Sequence, residues 1–147
     1  MRFFLYLYSM NKEDILKRIN SANKNSLMET LEMDFIDVGD DFLIARMPVT
    51  PKLHQPDGVL HGGATFALAE SVGSAASYLF NKSKSIMVRG IEMSGNHLKG
   101  ISEGYVYAKA IAIHNGRTTQ IWEIKVTNEA GELISSCKLT TLTLPKK

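Results

Sequence analysis

The stretch GGATFALAESVGSAASYLF, from Gly62 to Phe80, decides how the rest of the chain is read. Its pattern is helical, and eleven of its nineteen residues are Gly, Ala or Ser, so neighbouring backbones can approach it closely. A helix this apolar belongs inside a protein and must be covered. The cover follows in four long β-rich runs, at 86–98, 104–114, 117–127 and 133–144. In the third, Trp122, Ile124 and Val126 share one face while Glu123, Lys125 and Thr127 share the other, as in an antiparallel strand with one face in the core. Ahead of the helix, 31–38 and 42–49 alternate in the same way on either side of Gly39-Asp40-Asp41, which is turn chemistry. Residues 12–20 place Ile15, Leu16 and Ile19 at helical spacing behind Asn11, and Pro48, Pro51 and Pro56 make the stretch up to Gly58 a loop. Strands, then one long helix, then strands predict an α+β fold, an antiparallel sheet wrapped around a central helix.

Two turns follow from their residues. Asn115-Gly116 sits between two strand runs and predicts a type I′ turn, because both central positions then need positive φ, which Asn and Gly tolerate. Asn128-Glu129-Ala130-Gly131 marks the next turn.

A length of 147 residues fits one domain, read here as 11–147. Residues 1–10, MRFFLYLYSM, hold four of the chain's twelve aromatics and read as an atypical leader. Either the start is extended and Met10 is the natural initiator, the reading we favour, or the leader is an extra strand on a sheet edge. With 44% hydrophobic and 22% charged residues, disorder is excluded. Seventeen basic residues against fifteen acidic ones are scattered along the chain, so no nucleic-acid partner is expected. The leader lacks the apolar length and cleavage site of a signal peptide, and no later run suits a membrane span. A cytoplasmic protein is expected. The single cysteine, Cys137, is consistent with a reducing compartment and reads as a core residue.

Between Asp57 and Lys82, Glu70 is the only charged residue, on a helix read as buried. An interior carboxylate must be paired, hydrogen-bonded or functional, and Ser74 at i+4 shares its face. The competing reading is a glutamate at the helix surface near a subunit boundary, satisfied by serines, Ser71 and Ser77 among them, or by a basic residue from elsewhere. The run QPDGVLHGG, from Gln55 to Gly63, brings a Gln amide, His61 and two glycines to the start of the helix. Free N–H groups and the positive dipole end can polarise a carbonyl there, with Gly62 permitting close approach. Alternatively the glycines only tighten the loop and His61 caps locally. His97 can point into a site, whereas His54 and His114 read as solvated loop residues. His61, Glu70 and His97 lack the spacing of a metal motif, and no nucleotide-binding loop or serine nucleophile elbow is present.

Taken together, QPDGVLHGGATFALAESVGS from Gln55, GIEMSGNHLKG from Gly90 and HNGRTTQIWEIKV from His114 resemble the hotdog-fold acyl-CoA thioesterases. The branch is similar to that of 1,4-dihydroxy-2-naphthoyl-CoA thioesterases and enterobactin-proofreading thioesterases. Asp57 departs from that pattern, standing where close relatives often have an aromatic residue. The resemblance implies hydrolysis of an acyl-CoA thioester, aromatic or medium-chain, to acid and free CoA. CoA is part of the substrate and no separate cofactor is implied. It also implies a site shared between two subunits, in a homo-oligomer expected to be a dimer of dimers. Carried onto this chain, Gly62 N–H meets the thioester carbonyl, with Gln55 and His61 positioning the acyl group or the donor loop. Glu70 is nucleophile or general base, and Ser74 holds it or the water. His97 helps place the acyl group or water, and Asn115, Gly116, Arg117 and Thr118 form a CoA-contacting hairpin. The alternatives are a noncatalytic acyl-CoA binding or sensing module and a dehydratase or hydratase on the same fold, whose characteristic stretch is absent.

Overall fold

The structure, a computed structural model, describes residues 10–81 and 86–146. The leader at 1–9 and the Lys82-Ser83-Lys84 junction lie outside the described residues. Helix α1 (Lys12–Ser21) and the single turn α2 (Leu27–Thr30) precede strands β1 (Asp34–Val38) and β2 (Phe42–Pro48). A short 3-10 turn, Pro51–Leu53, leads towards α3 (Gly62–Phe80), and then come β3 (Ile86–His97), β4 (Tyr105–Asn115), β5 (Thr119–Asn128) and β6 (Leu133–Pro145). The six strands make one antiparallel sheet in the order β1-β2-β4-β5-β6-β3.

The expected α+β architecture is present, with α3 packed against β2 to β6. Its buried stripe, Thr65, Leu68, Ala69, Val72, Gly73, Ala76 and Ser77, repeats every three or four residues and faces the sheet. The strands answer with alternate residues: Leu43, Ala45 and Met47 on β2, Val106, Ala108 and Ala110 on β4, Trp122, Ile124 and Val126 on β5. Small residues set the approach distance. A methyl group at Gly73 would lie 2.6 Å from Leu139 Cδ2, so glycine is what lets the helix settle on β6. On β6 the inward positions are Ser135, Cys137, Leu139, Thr141 and Thr143, apolar in the middle and hydroxylated at both ends. Cys137 is buried as expected.

The first expected strand begins later than 31. Ser26 caps a helical turn by accepting Met28 N–H at 3.2 Å, and Glu32 adopts a φ of 55°, so extended backbone starts only at Asp34. Helix α1 is capped by Asn11, whose side chain accepts Asp14 N–H at 2.9 Å, and leans Leu16 and Ile19 on the core. At its end Asn20 grips β1 with both halves of its amide. Its Nδ2 donates to Phe35 O and its Oδ1 accepts Phe35 N–H, each at 2.8 Å. Lys12 pairs with Asp37 on the same strand. At the opposite end of the sheet, β3 bonds only to β6, leaving its outer edge without a partner among the described residues.

Candidate active site

The loop leading into α3 is a tight turn closed on both sides. Gly58 N–H donates to Gln55 O at 3.0 Å and Gln55 N–H to Val59 O at 2.8 Å, with Gly58 at φ 84°, a left-handed conformation that favours glycine. Leu60 N–H bonds Ile101 O and His61 N–H bonds Leu53 O, fixing the loop against its neighbours. His61 is the N-cap of α3: its Nδ1 accepts Gly63 N–H at 2.8 Å, and its carbonyl takes Ala64 and Thr65 N–H. The local capping reading of His61 therefore holds in this chain. It leaves Gly62 N–H without a partner among the described residues, at the positive end of a nineteen-residue helix.

His97, the last residue of β3, stands beside that N–H. A side chain starting at Gly62 would meet His97 Nε2 at 2.6 Å, so the glycine makes room for the ring. His97 Nδ1 is 2.8 Å from Ser135 Oγ, and its ring rests on Phe66 with centroids 5.0 Å apart at 42°. Ser135 and Phe66 were not among the residues expected from sequence. Nothing local in the sequence marks Ser135, since Thr141 and Thr143 also put hydroxyls on the inward face of β6.

Glu70 corrects an expectation. It is exposed in the single chain rather than buried, because the core stripe of α3 is filled by residues on either side of it and Glu70 faces the flank towards β3, where the sheet stops. Its Oε1 lies 2.6 Å from where a side chain at Gly90 would begin, so the carboxylate rests against bare backbone. Gly90 adjoins a β-bulge in which Ile91 is skipped by the β6 register. Ser74 is half-buried and makes no hydrogen bond to Glu70. Gly62 and Glu70 are eight residues apart on one helix, about 12 Å along its axis. Within one chain they cannot address the same carbonyl.

The 115–118 hairpin also differs from expectation. Asn115 pairs with Gln120, Gly116 N–H donates to Thr119 O at 3.0 Å, and the turn is carried by Arg117 and Thr118. Neither Asn115 nor Gly116 has positive φ, so the type I′ turn is not formed at that dipeptide. The reason lies beneath it. Gln120, fully buried, donates from Nε2 to Gly116 O at 2.7 Å and accepts the Thr141 and Thr143 hydroxyls at 3.0 and 2.9 Å. Trp122 Nε1 donates to Ser77 Oγ, which also bonds Thr141 Oγ1, both at 2.7 Å, and Asn81 Nδ2 reaches Thr143 Oγ1. This network ties the hairpin to the last turn of α3, about 27 Å along the helix from Gly62.

Of the expected site residues, His61, Gly62 and His97 gather at the start of α3, and Gln55 lies in the loop that precedes it. Glu70 and Ser74 sit further along it, and Asn115 to Thr118 lie at the far end. His54 is not simply solvated: its Nε2 contacts Ser102 O at 3.0 Å and links two loops. Among the described residues no three His, Cys, Asp or Glu side chains converge as a metal site, and no helix is long and apolar enough to cross a membrane.

The chain has counterparts among known proteins. The thioesterase superfamily profile matches residues 57–135. The 1,4-dihydroxy-2-naphthoyl-CoA hydrolase of Escherichia coli is 39% identical over 129 residues, 88% of this chain and 94% of that protein. The proofreading thioesterase EntH of Cronobacter turicensis is 40% identical over 126 residues, 86% of this chain and 91% of that protein. A crystal structure of a mutant of thioesterase PA1618 from Pseudomonas aeruginosa superimposes with a TM-score of 0.85 at 42% identity, covering 88% of this chain and 94% of that one. The chain belongs to the thioesterase superfamily and has its hotdog fold. Its chemistry is that of a thioester hydrolase.

Proposed function

We propose that the protein hydrolyses acyl-CoA thioesters at a site built by two protomers, in which the Gly62 N–H of one chain and the Glu70 carboxylate of the other act on one thioester. The observation that carries this reading is the separation of the two groups along α3, each left without a hydrogen-bond partner among the described residues. The outer edge of β3, unpaired among the described residues, supports it, since two such edges joined as one sheet bring the exposed flank of each α3 towards the partner. Gly62 N–H receives the negative charge that develops on the carbonyl oxygen. Glu70 either attacks the carbonyl carbon, forming an anhydride that water then opens, or takes the proton from an attacking water. In both routes the C–S bond breaks, the CoA sulfur leaves as thiolate and gains a proton, and water supplies the acid's new oxygen. Gln55 and His61 hold the donor loop, Ser74 orients Glu70 or the water, and the 115–118 hairpin presents Arg117 to a CoA phosphate. A dimer of dimers is the assembly this reading favours.

The test is thiol release from a panel of aromatic and aliphatic acyl-CoA thioesters by wild type and Glu70→Ala. Turnover by wild type that is lost in the variant is expected. Thioester binding by wild type without thiol release would leave a binding module and remove Glu70 from catalysis.

A further inference from the structure

We propose that Ser135 is a positioning residue for His97: its hydroxyl donates to Nδ1, keeps the ring's proton on Nε2, and so makes His97 a second donor beside Gly62 N–H. The inference rests on the reading of Gly62 as the carbonyl-binding amide.

It follows from counting partners. Ser135 is completely buried, and its Oγ has one partner among the described residues, His97 Nδ1 at 2.8 Å. In a neutral imidazole one nitrogen donates and the other accepts. Were Nδ1 the donor, the serine proton would be left in a dry interior with nothing to accept it, an arrangement folded proteins avoid. The hydroxyl therefore donates, Nδ1 accepts, and the proton sits on Nε2. That nitrogen lies against Gly62, close enough that a side chain there would collide at 2.6 Å, while Phe66 backs the ring and keeps it from swinging away. Gly62 N–H has no competing partner among the described residues, so His97 Nε2 and this free amide lie side by side at the positive end of α3. Two fixed donors aimed at a developing oxyanion stabilise a transition state more than a ground-state carbonyl, so the effect belongs in kcat.

Histidine-labelled protein examined by nitrogen-15 NMR in alkaline buffer is expected to show the His97 proton on Nε2 in wild type and a tautomer mixture in Ser135→Ala. With the best thioester of the panel, Ser135→Ala should lower kcat about tenfold or more and leave KM within about twofold. In a His97→Ala background the same change should cost nothing further. A wild-type proton on Nδ1, or a loss in Ser135→Ala that simply adds to that of His97→Ala, overturns the assignment. The NMR arm does not depend on turnover: a proton on Nε2 supports the assignment even where no thioester is cleaved, an outcome that would fault the functional reading instead.

Discussion

The two ends of α3 are finished in opposite ways. At the C-terminal end Ser77, Asn81, Gln120, Trp122, Thr141 and Thr143 are all buried, and their polar groups bond to one another and to the hairpin backbone. At the N-terminal end Gly62 N–H has no partner among the described residues, and His61 and His97 are exposed. One strand serves both ends, since the inward face of β6 runs from Ser135 under His97, past Cys137 and Leu139, to Thr141 and Thr143 in the closed network. On the proposed reading, the difference separates stability from activity. Satisfied buried polar groups hold a conformation, whereas a donor left unmet at a helix start is available to a ligand.

That division can be broken by mutation. Glu70→Gln, on the open flank, should give the largest change, a fall in kcat of about 10²–10⁴-fold with the melting temperature essentially unmoved. A comparable fall in stability would mean that the carboxylate is structural. Gln120→Leu, at the closed end, should do the reverse. It strips Gly116 O and two threonine hydroxyls of a partner, costing about 1–3 kcal/mol, and calorimetry should register a drop of about 2–4 °C for each kcal/mol. Its kcat should stay near wild type, with any loss confined to KM through the hairpin. His61→Ala tests the boundary between the two behaviours. Loss of the cap on Gly63 N–H should cost about 0.5–2 kcal/mol, and His61→Asn, a good capping residue, should recover stability and activity together. Recovered stability with activity still low would show that the ring itself touches substrate.

The smallest effect concerns Cys137, midway along β6. Burial pushes its thiol from 9.0 up to about 11, so the native state holds that proton more tightly than the unfolded chain does. The associated stability is complete below about pH 9 and is lost as pH rises towards about 11. Denaturation midpoints of Cys137→Ala should lack that alkaline decline.

Local rules made most of the fold legible. The bounds of α3 follow from its small residues and the polar loops around it, and the alternation at Trp122, Ile124 and Val126 gave the correct inward face of β5. Where the sequence misled, a distant partner had overridden a local preference. Asn115-Gly116 has the chemistry of a hairpin turn, but Gln120 grips Gly116 O from below and the turn forms two residues later. Glu70 read as buried because its neighbours in sequence are apolar, while its exposure depends on where the sheet ends. Ser135 could not be singled out, because its meaning comes from His97, thirty-eight residues away on the neighbouring strand. The capping half of the His61 reading was local and proved sound, as capping depends on nearest neighbours.

The grip of Asn20 on Phe35 has a consequence for how copies of the chain add to one another. An amide side chain that both donates to and accepts from one residue of β1 imitates an incoming strand, occupying the outward N–H and C=O there. Among the described residues the sheet is thus stoppered at β1 and open at β3, which gives a valence of one for sheet growth. Two open ends can join once about a two-fold axis, after which the sheet ends in a stopper on either side. Removing the amide, as in Asn20→Ala, would raise that valence towards two and exchange a closed pair for an open-ended ribbon.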